Sequence, residues 1–599
     1  MKNRKITGYL FIAPWIIGFL VFTAYPFISS LWLSFTNYNL LSAPKFVGID
    51  NYIKLFNDPL FIKTLMNTLK YVFITVPVKL AFALFIANIL NYKLKGINFF
   101  RTAYYIPSIL GGSVAIAVLW RFLFSDQGLI NIIIGYLGIE PISWLGDPKY
   151  ALFTVSLLRA WQFGSAMVIF LAALKNIPED LYESARIEGA SKTMQFLHIT
   201  IPMISPVIFF NFIMQLIQAF QEFNGPYIIT GGGPLNSTKL LPLLIYDNAF
   251  NYYQMGYASA ISWVLFVIIM VFTVFSFRSQ KYWVHYSDKK MANTKIEFLD
   301  EKAIEELKRK NLERNRKRKI INGIKAGIRY GILVIVGVAM LYPLIWLLGA
   351  SFKTNADIFT SIGFIPKGFK FDFTGYVNGW KTSTEYTFAT YFMNTFKIVV
   401  PKVILTIISA VLTAYGFSRF KFPGKKVLFS ILISTLLLPN VVLRIPQFLM
   451  YKNFGWLDSY LPLFVPAAFA TDTFFVFMLI QFIRGLPKEI EEAACVDGCN
   501  SLQTLIYIMV PMLKPAIISV ALFQFMWTMN DFMGPLIYLS SVEKYPVALA
   551  LKMSMDVSSN VNWNQILAMS IIGLTPSLII FFGAQKHFVD GISAGGVKG

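Results

Sequence analysis

Apolar runs of the length a helix needs to cross a bilayer, roughly 20 residues, alternate along this chain with short polar or charged loops. Twelve are predicted to be membrane helices: six near 9–34, 66–90, 101–124, 151–174, 201–222 and 257–280, and six near 327–351, 393–416, 427–450, 461–483, 511–530 and 565–586. The first follows the basic start MKNRK, as the core of a signal peptide would. Its apolar run is about 25 residues long and lacks a small-residue cleavage site, so it is read as a retained helix.

Charge orients these helices. Lys93, Lys95 and Arg101 follow the second run, and Arg419, Lys421, Lys425 and Lys426 follow the eighth. Cytoplasmic loops collect Lys and Arg, so these loops, and with them both termini, are predicted to be cytoplasmic. Between the halves, residues 288–319 hold 12 Lys/Arg and 7 Asp/Glu, many of them good helix formers. The chain is therefore divided into a first transmembrane domain, 1–286, a charged cytoplasmic linker that can be helical, 287–322, and a second transmembrane domain, 323–599. The basic end of the linker, Lys308 to Lys319, reads as a solvated helix, with contact to anionic lipid headgroups as the alternative.

Composition removes the competing classes. Apolar residues make up 56% of the 599 and charged residues 14%, against about 25% charged in soluble domains. A formal charge of +22 would suggest nucleic acid in a soluble protein, but here the basic runs flank apolar spans and carry no groove-reading motif, so no nucleic-acid partner is expected. Three scattered histidines, His198, His285 and His587, and two cysteines, Cys495 and Cys499, form neither a metal cluster nor a disulfide framework.

The two halves repeat each other. YPFISSLWLSF at 25–35 answers YPLIWLLGASF at 342–352, and NTLKYV at 67–72 answers NTFKIV at 394–399, at offsets of 317 and 327. Further on the offset settles at 309, where Glu183, Ala185, Gly189, Ile199 and Pro202 match Glu492, Ala494, Gly498, Ile508 and Pro511, and GPYIIT at 225–230 meets GPLIYL at 534–539. Two related six-helix bundles in tandem commonly frame a central pathway.

The most informative stretches are IPEDLYESARIEGASKTMQFLHITIP at 177–202 and LPKEIEEAACVDGCNSLQTLIYIMVP at 486–511. In each, a proline precedes an acidic first turn suited to a helix start, and a glycine interrupts helical sequence. A further proline opens the next span. An internal glycine costs about 1 kcal/mol against alanine, so its recurrence in both halves predicts a bend or a close approach by a partner. The helices are expected to lie along the cytoplasmic surface.

These segments resemble the signature of the membrane permease subunits of ATP-binding-cassette importers, in the carbohydrate-uptake group that includes maltose and glycerol-phosphate permeases. The pattern is Glu-Ala-Ala, three residues, Gly, nine residues, Ile, one residue, Leu, Pro, and both copies keep its spacing. Ser184 replaces the first alanine in one copy, and Ile201 and Val510 replace the leucine. FVGIDNY at 46–52, the run at 229–238 and GYASA at 256–260 resemble the first permease subunit of that group, and FVDGISAGGVKG at 588–599 resembles the tail of the second. The chain thus resembles both subunits fused.

The resemblance implies an all-α polytopic membrane protein of two type I importer bundles in the plasma (inner) membrane of a prokaryote. It also implies two cytoplasmic ATPase subunits, contacted through Glu183, Ala185, Gly189, Glu492, Ala494 and Gly498, and an extracytoplasmic substrate-binding protein. The transported ligand would be a carbohydrate, sugar, oligosaccharide or related polyol or glycerol phosphate. The chain has no GxxxxGK[ST] phosphate loop, so ATP and magnesium are expected on partner subunits, with no cofactor, no metal and no catalytic residue here.

Polar side chains inside a span usually face a bundle interior or an aqueous cavity. Asn211, Gln215, Gln218 and Glu222 fall on one stripe of the fifth run, and Gln524, Trp527 and Asp531 occupy matching places in the second half. Amides and ring faces suit sugars, so these seven are the candidate pathway lining, with helix-to-helix hydrogen bonding as the alternative. Arg159, Trp161 and Gln162, and the stripe Asn440, Arg444 and Gln447, are further polar groups in apolar runs, and Arg444 needs a carboxylate or carbonyl partner. Two six-helix sets would also suit a secondary transporter, which has no reason to carry the paired signature.

Overall fold

The computed structural model describes residues 2–92, 95–285, 301–360, 362–381, 386–556 and 562–596. Lys93, linker positions 287–300 and the last three residues of the tail motif, 597–599, lie outside the described residues.

Eight helices are long and apolar enough to cross a membrane: Lys5–Ser34, Pro59–Leu90, Lys192–Ile229, Met255–Trp283, Gly323–Ala350, Phe388–Arg419, Leu461–Arg484 and Trp563–Ala584. Four bent pairs bring the spans among the described residues to twelve: Ile97–Leu110 with Val114–Leu123, Pro148–Trp161 with Gly164–Lys175, Lys425–Leu436 with Asn440–Asn453, and Ser501–Met512 with Lys514–Met529. They fall where the apolar runs predict, and the protein is a mostly helical multi-pass membrane protein, with one small hairpin pairing Thr36–Asn37 with Lys45–Phe46. Predicted linker positions 301–322 are helical and continue without a break into the seventh span within Glu301–Ala350.

The third and ninth spans depart from expectation. Each apolar run reads as one helix, yet the pairs turn by 101° and 98°. In the third span the helix stops at Gly111, whose carbonyl accepts from Gln162 Nε2 at 2.8 Å, and Ser113 caps the next segment by accepting from Ile116 N at 3.3 Å. In the ninth, Pro439 disfavours helical geometry at the residue before it, and Asn440 N is taken by Gln221 Oε1 at 2.9 Å. Both bends thus replace intrahelical bonds with side-chain partners.

The Asn-Thr pair of the repeated NTLKYV/NTFKIV motif ties each second helix to the loop after the fifth. Asn67 Nδ2 donates to Asn236 O at 2.8 Å and Asn394 Nδ2 to Glu543 O at 2.7 Å. Thr68 Oγ1 accepts from Leu241 N at 2.9 Å, and Thr395 Oγ1 from Val547 N at 3.0 Å. Elsewhere in the second half, the loop between the ninth and tenth spans is clamped by Asp458, which accepts from Lys544 Nζ at 2.8 Å and from Ser540 N and Ser541 N. Burial works to raise this carboxyl, but the Lys544 and Ser541 bonds outweigh it and hold it well below the usual carboxylate range.

The repeat suggests two self-contained bundles, but the first helix of each half reaches toward the other half. Phe11, Ile12 and Trp15 share a buried cluster with Ala410, Tyr415 and Phe417 of the eighth span. Close approach there uses small residues: a Cβ on Gly18 would lie 2.1 Å from Phe469 O, and one on Gly416 would lie 2.6 Å from Ile12. Reciprocally, Tyr104 OH of the third span donates to Leu333 O of the seventh at 2.5 Å, and Phe122 stacks on Trp346 with centroids 5.0 Å apart. This interlocking holds the halves around a common centre.

Candidate functional site

The two signature loops fold into short helices, Glu179–Ile187 and Glu489–Val496, with Glu179 and Asp180, or Glu489, Glu491 and Glu492, in the first turn. Both end in the same way. Gly189 and Gly498 have φ of 83° and 87°, a left-handed conformation that glycine adopts without Cβ strain. Ala190 N bonds Ala185 O at 2.9 Å and Cys499 N bonds Ala494 O at 3.0 Å, while Gly189 N and Gly498 N bond Arg186 O and Cys495 O. That paired pattern satisfies the last carbonyls of each helix and reverses the chain. The glycines therefore terminate the helices, and a Cβ on either would meet no atom within 4 Å.

Beyond the glycines, Ser191 and Asn500 cap the next helices. The first runs on without a bend through Phe196–Thr200 to Phe220, and the second bends by 78° at Leu513. Pro202 therefore does not open a separate span but sits inside that continuous helix, where its missing N–H falls beside a π turn, Phe196–Thr200. Only the proline region of the second half keeps a break.

The predicted contact residues Glu183 and Glu492 are exposed, as are Gly189 and Gly498; Ala185 is half-buried and Ala494 buried. Sequence reasoning passed over two apolar pairs at offset 309. Ile187 and Val496 are each 87% exposed, and Leu181 and Ile490 each 39%. Their signal was present as apolar residues recurring at identical places on otherwise charged helices. Cys495 is exposed and Cys499 intermediate, so neither is packed into the bundle.

The helices are anchored differently. Tyr182 OH and Thr200 Oγ1 share a hydrogen bond of 2.8 Å on the first. On the second, Glu491 forms a buried ion pair with Arg419 at the end of the eighth span, and Arg419 Nη2 also donates to Leu486 O at 3.0 Å.

At the other end of the fifth and eleventh spans lies a cavity of about 360 Å³, within the usual range of small-molecule sites, lined from both halves. Its polar side chains include Arg159, Gln218, Gln221, Glu222, Asn224, Asn440, Arg444, Asn530 and Asp531, with Tyr246, Phe250 and Phe532 among the rings. Arg159 donates to Gln218 Oε1 at 2.7 Å and lies 3.7 Å from Glu222 Oε2. Glu222 and Asp531 occupy equivalent places, each accepting from the N–H three residues on, Gly225 and Gly534, at 3.1 Å. The repeated Gly-Pro segments are thus short helices whose starts are fixed by these carboxylates.

Of the seven residues in the sequence-derived lining, Gln218, Glu222 and Asp531 border this cavity. Asn211, Gln215 and Gln524 are buried between helices at 1%, 7% and 1% exposure, and Gln524 Nε2 reaches Thr528 Oγ1 at 3.4 Å. Trp527 packs on Phe474 and Phe475 with centroids 5.4 and 4.9 Å away. The stripe was read along one helix, whereas the bends that bring Asn440 and Arg444 to the cavity belong to another. Gln215→Ala and Gln524→Ala should accordingly lower thermal stability by about 1 kcal/mol each with KM for uptake unchanged. A raised KM with unchanged melting would place them on the pathway instead.

The family described as binding-protein-dependent transport system inner membrane component matches the chain twice, at residues 61–285 and 390–594. Among similar proteins, the probable ABC transporter permease protein YesP of Bacillus subtilis (strain 168) is 48% identical over 293 residues, 48% of this chain and 95% of that protein. The arabinooligosaccharides transport system permease protein AraP of the same organism is 36% identical over 46% of this chain and 89% of its own length. The trehalose/maltose transport system permease protein MalF of Thermococcus litoralis is 35% identical over 46% of this chain and 94% of its own length.

Proposed function

The chain belongs to the family of binding-protein-dependent transport system inner membrane components, matched once in each half, and from that premise we propose that it forms both membrane halves of an ATP-driven carbohydrate importer. Relatives named for arabinooligosaccharide and trehalose/maltose transport support the carbohydrate class. Separate cytoplasmic ATPases, one at each signature helix, supply the energy, and an extracytoplasmic binding protein delivers the sugar to the loops at the other end. Both termini and the linker lie on the cytoplasmic side.

The observation that carries this reading is the pair of signature helices, ended by the same glycine turn and each presenting an apolar side chain, Ile187 or Val496, that is 87% exposed. An exposed apolar side chain repeated on charged helices marks a protein contact. A helix continuous with, or bonded to, a span transmits displacement because its backbone hydrogen bonds resist stretching. ATPase closure would draw the two helices together and reorient the halves around the central cavity, where Gln218, Glu222, Asn440 and Asp531 offer donors and acceptors to sugar hydroxyls.

Gentle purification from the native membrane should yield two ATPase subunits per chain, with ATP hydrolysis stimulated by the sugar-loaded binding protein. A chain recovered alone that moves sugar in proteoliposomes on a proton or sodium gradient, without ATP, would replace this reading with a secondary transporter.

A further inference from the structure

Four formally charged side chains border the central cavity: Arg159, Glu222, Arg444 and Asp531. Three have partners. Glu222 faces Arg159 and Gly225 N, and Asp531 accepts from Gly534 N. Arg444, on Asn440–Asn453, makes no hydrogen bond or ion pair among the described residues. A guanidinium in a membrane span is costly and normally paired, and this one opens into a cavity.

We propose that the cavity receives a carbohydrate bearing a carboxylate, as in a uronic acid, and that Arg444 is the counter-ion that selects it. The inference rests on reading the cavity as the transport pathway. A carboxylate can take two parallel N–H···O bonds from one guanidinium, a fit that a neutral hydroxyl cannot reproduce. The surroundings suit the rest of such a sugar. Asn440 lies one helical turn before Arg444, and the half-buried ring of Phe250 borders the same cavity and suits C–H groups. Asp531, on the same cavity, is held at a helix start by Gly534 N at 3.1 Å and forms no ion pair with Arg444 among the described residues. At offset 327 the first half has Ala117 in place of Arg444, so the selecting charge belongs to the second half alone.

The test uses matched disaccharides, each as uronic acid, methyl ester and neutral sugar; glucuronyl-β-1,4-glucose, its ester and cellobiose form one such set. Equilibrium binding is measured on the full chain with its ATPase in nanodiscs, without the binding protein, so that only the permease discriminates. The acid should bind at least about tenfold more tightly than its ester, Arg444→Gln should remove that difference while ATPase stays bound, and Arg444→Lys should keep part of it. Equal binding of acid and ester by the wild type overturns the proposal, independently of how the variants fold. So does a preference that survives in Arg444→Gln. Stronger binding of the neutral sugars would overturn the acidic class while leaving the carbohydrate pathway standing, whereas no binding of any sugar across the panel would remove both.

Discussion

Replacing Ile187 and Val496 together by aspartate should strip the ATPase subunits from the chain and abolish ATP-driven uptake, with membrane insertion and melting temperature unchanged. Both side chains are 87% exposed, so their loss removes little from the fold. Burying one such side chain in a partner's cleft contributes about 1.5–3 kcal/mol, and a carboxylate in its place adds an unpaired charge to a closing apolar contact. Either substitution alone should weaken association by tenfold or more; the two together should lower recovery of ATPase in a pull-down below detection. Undiminished recovery and uptake in the double variant would show that the partner grips elsewhere.

Arg419→Ala, or Glu491→Ala, should separate transport from ATP hydrolysis. The pair is nearly inaccessible, with side-chain exposures of 7% and 12%, and removing one member leaves a buried charge that costs about 3–5 kcal/mol. The second signature helix would then lose its ion pair to the eighth span. The expected result is lower thermal stability and sugar transport per ATP reduced about tenfold or more, with ATPase subunits still bound through Val496. At the matching offsets the first half has Tyr92 and Tyr182 in place of Arg419 and Glu491, and there a Tyr182–Thr200 hydroxyl bond takes the place of the ion pair. Tyr182→Phe should therefore cost about 1 kcal/mol or less. Single variants at 419 and 491 with wild-type coupling would show that the ion pair is only a surface fastening.

The asymmetry also shows where inspection of the repeat stops. A repeat states which positions correspond, but the same position can be held by a buried ion pair in one half and by two hydroxyls in the other. Glu491 lies one residue before the signature glutamate, Glu492, and the linear pattern directed attention to the exposed residue rather than the anchoring one. Likewise the Asn-Thr motif was visible as a repeat, but its role in fastening a loop 149 residues away, as Asn394 does with Glu543, was not.

What the sequence determined by itself is local: twelve apolar lengths, the basic loops, the duplication and the two signature helices, whose glycines read as internal bends until the backbone showed them to be helix ends. Each depends on helix length, charge or backbone conformation within a short window, where one-dimensional spacing carries the physics. The tertiary structure decided the right-angle turns at Gly111 and Pro439, the reach of the first helix into the opposite half, and the division of polar residues between cavity and packing. In a membrane, lipid and helix neighbours are equally apolar, so hydrophobicity does not distinguish a helix's outward face from its inward one. Gln218 and Gln215 look alike along the chain; only the position of Arg159 and of the bent ninth span makes one of them border the cavity and leaves the other between helices.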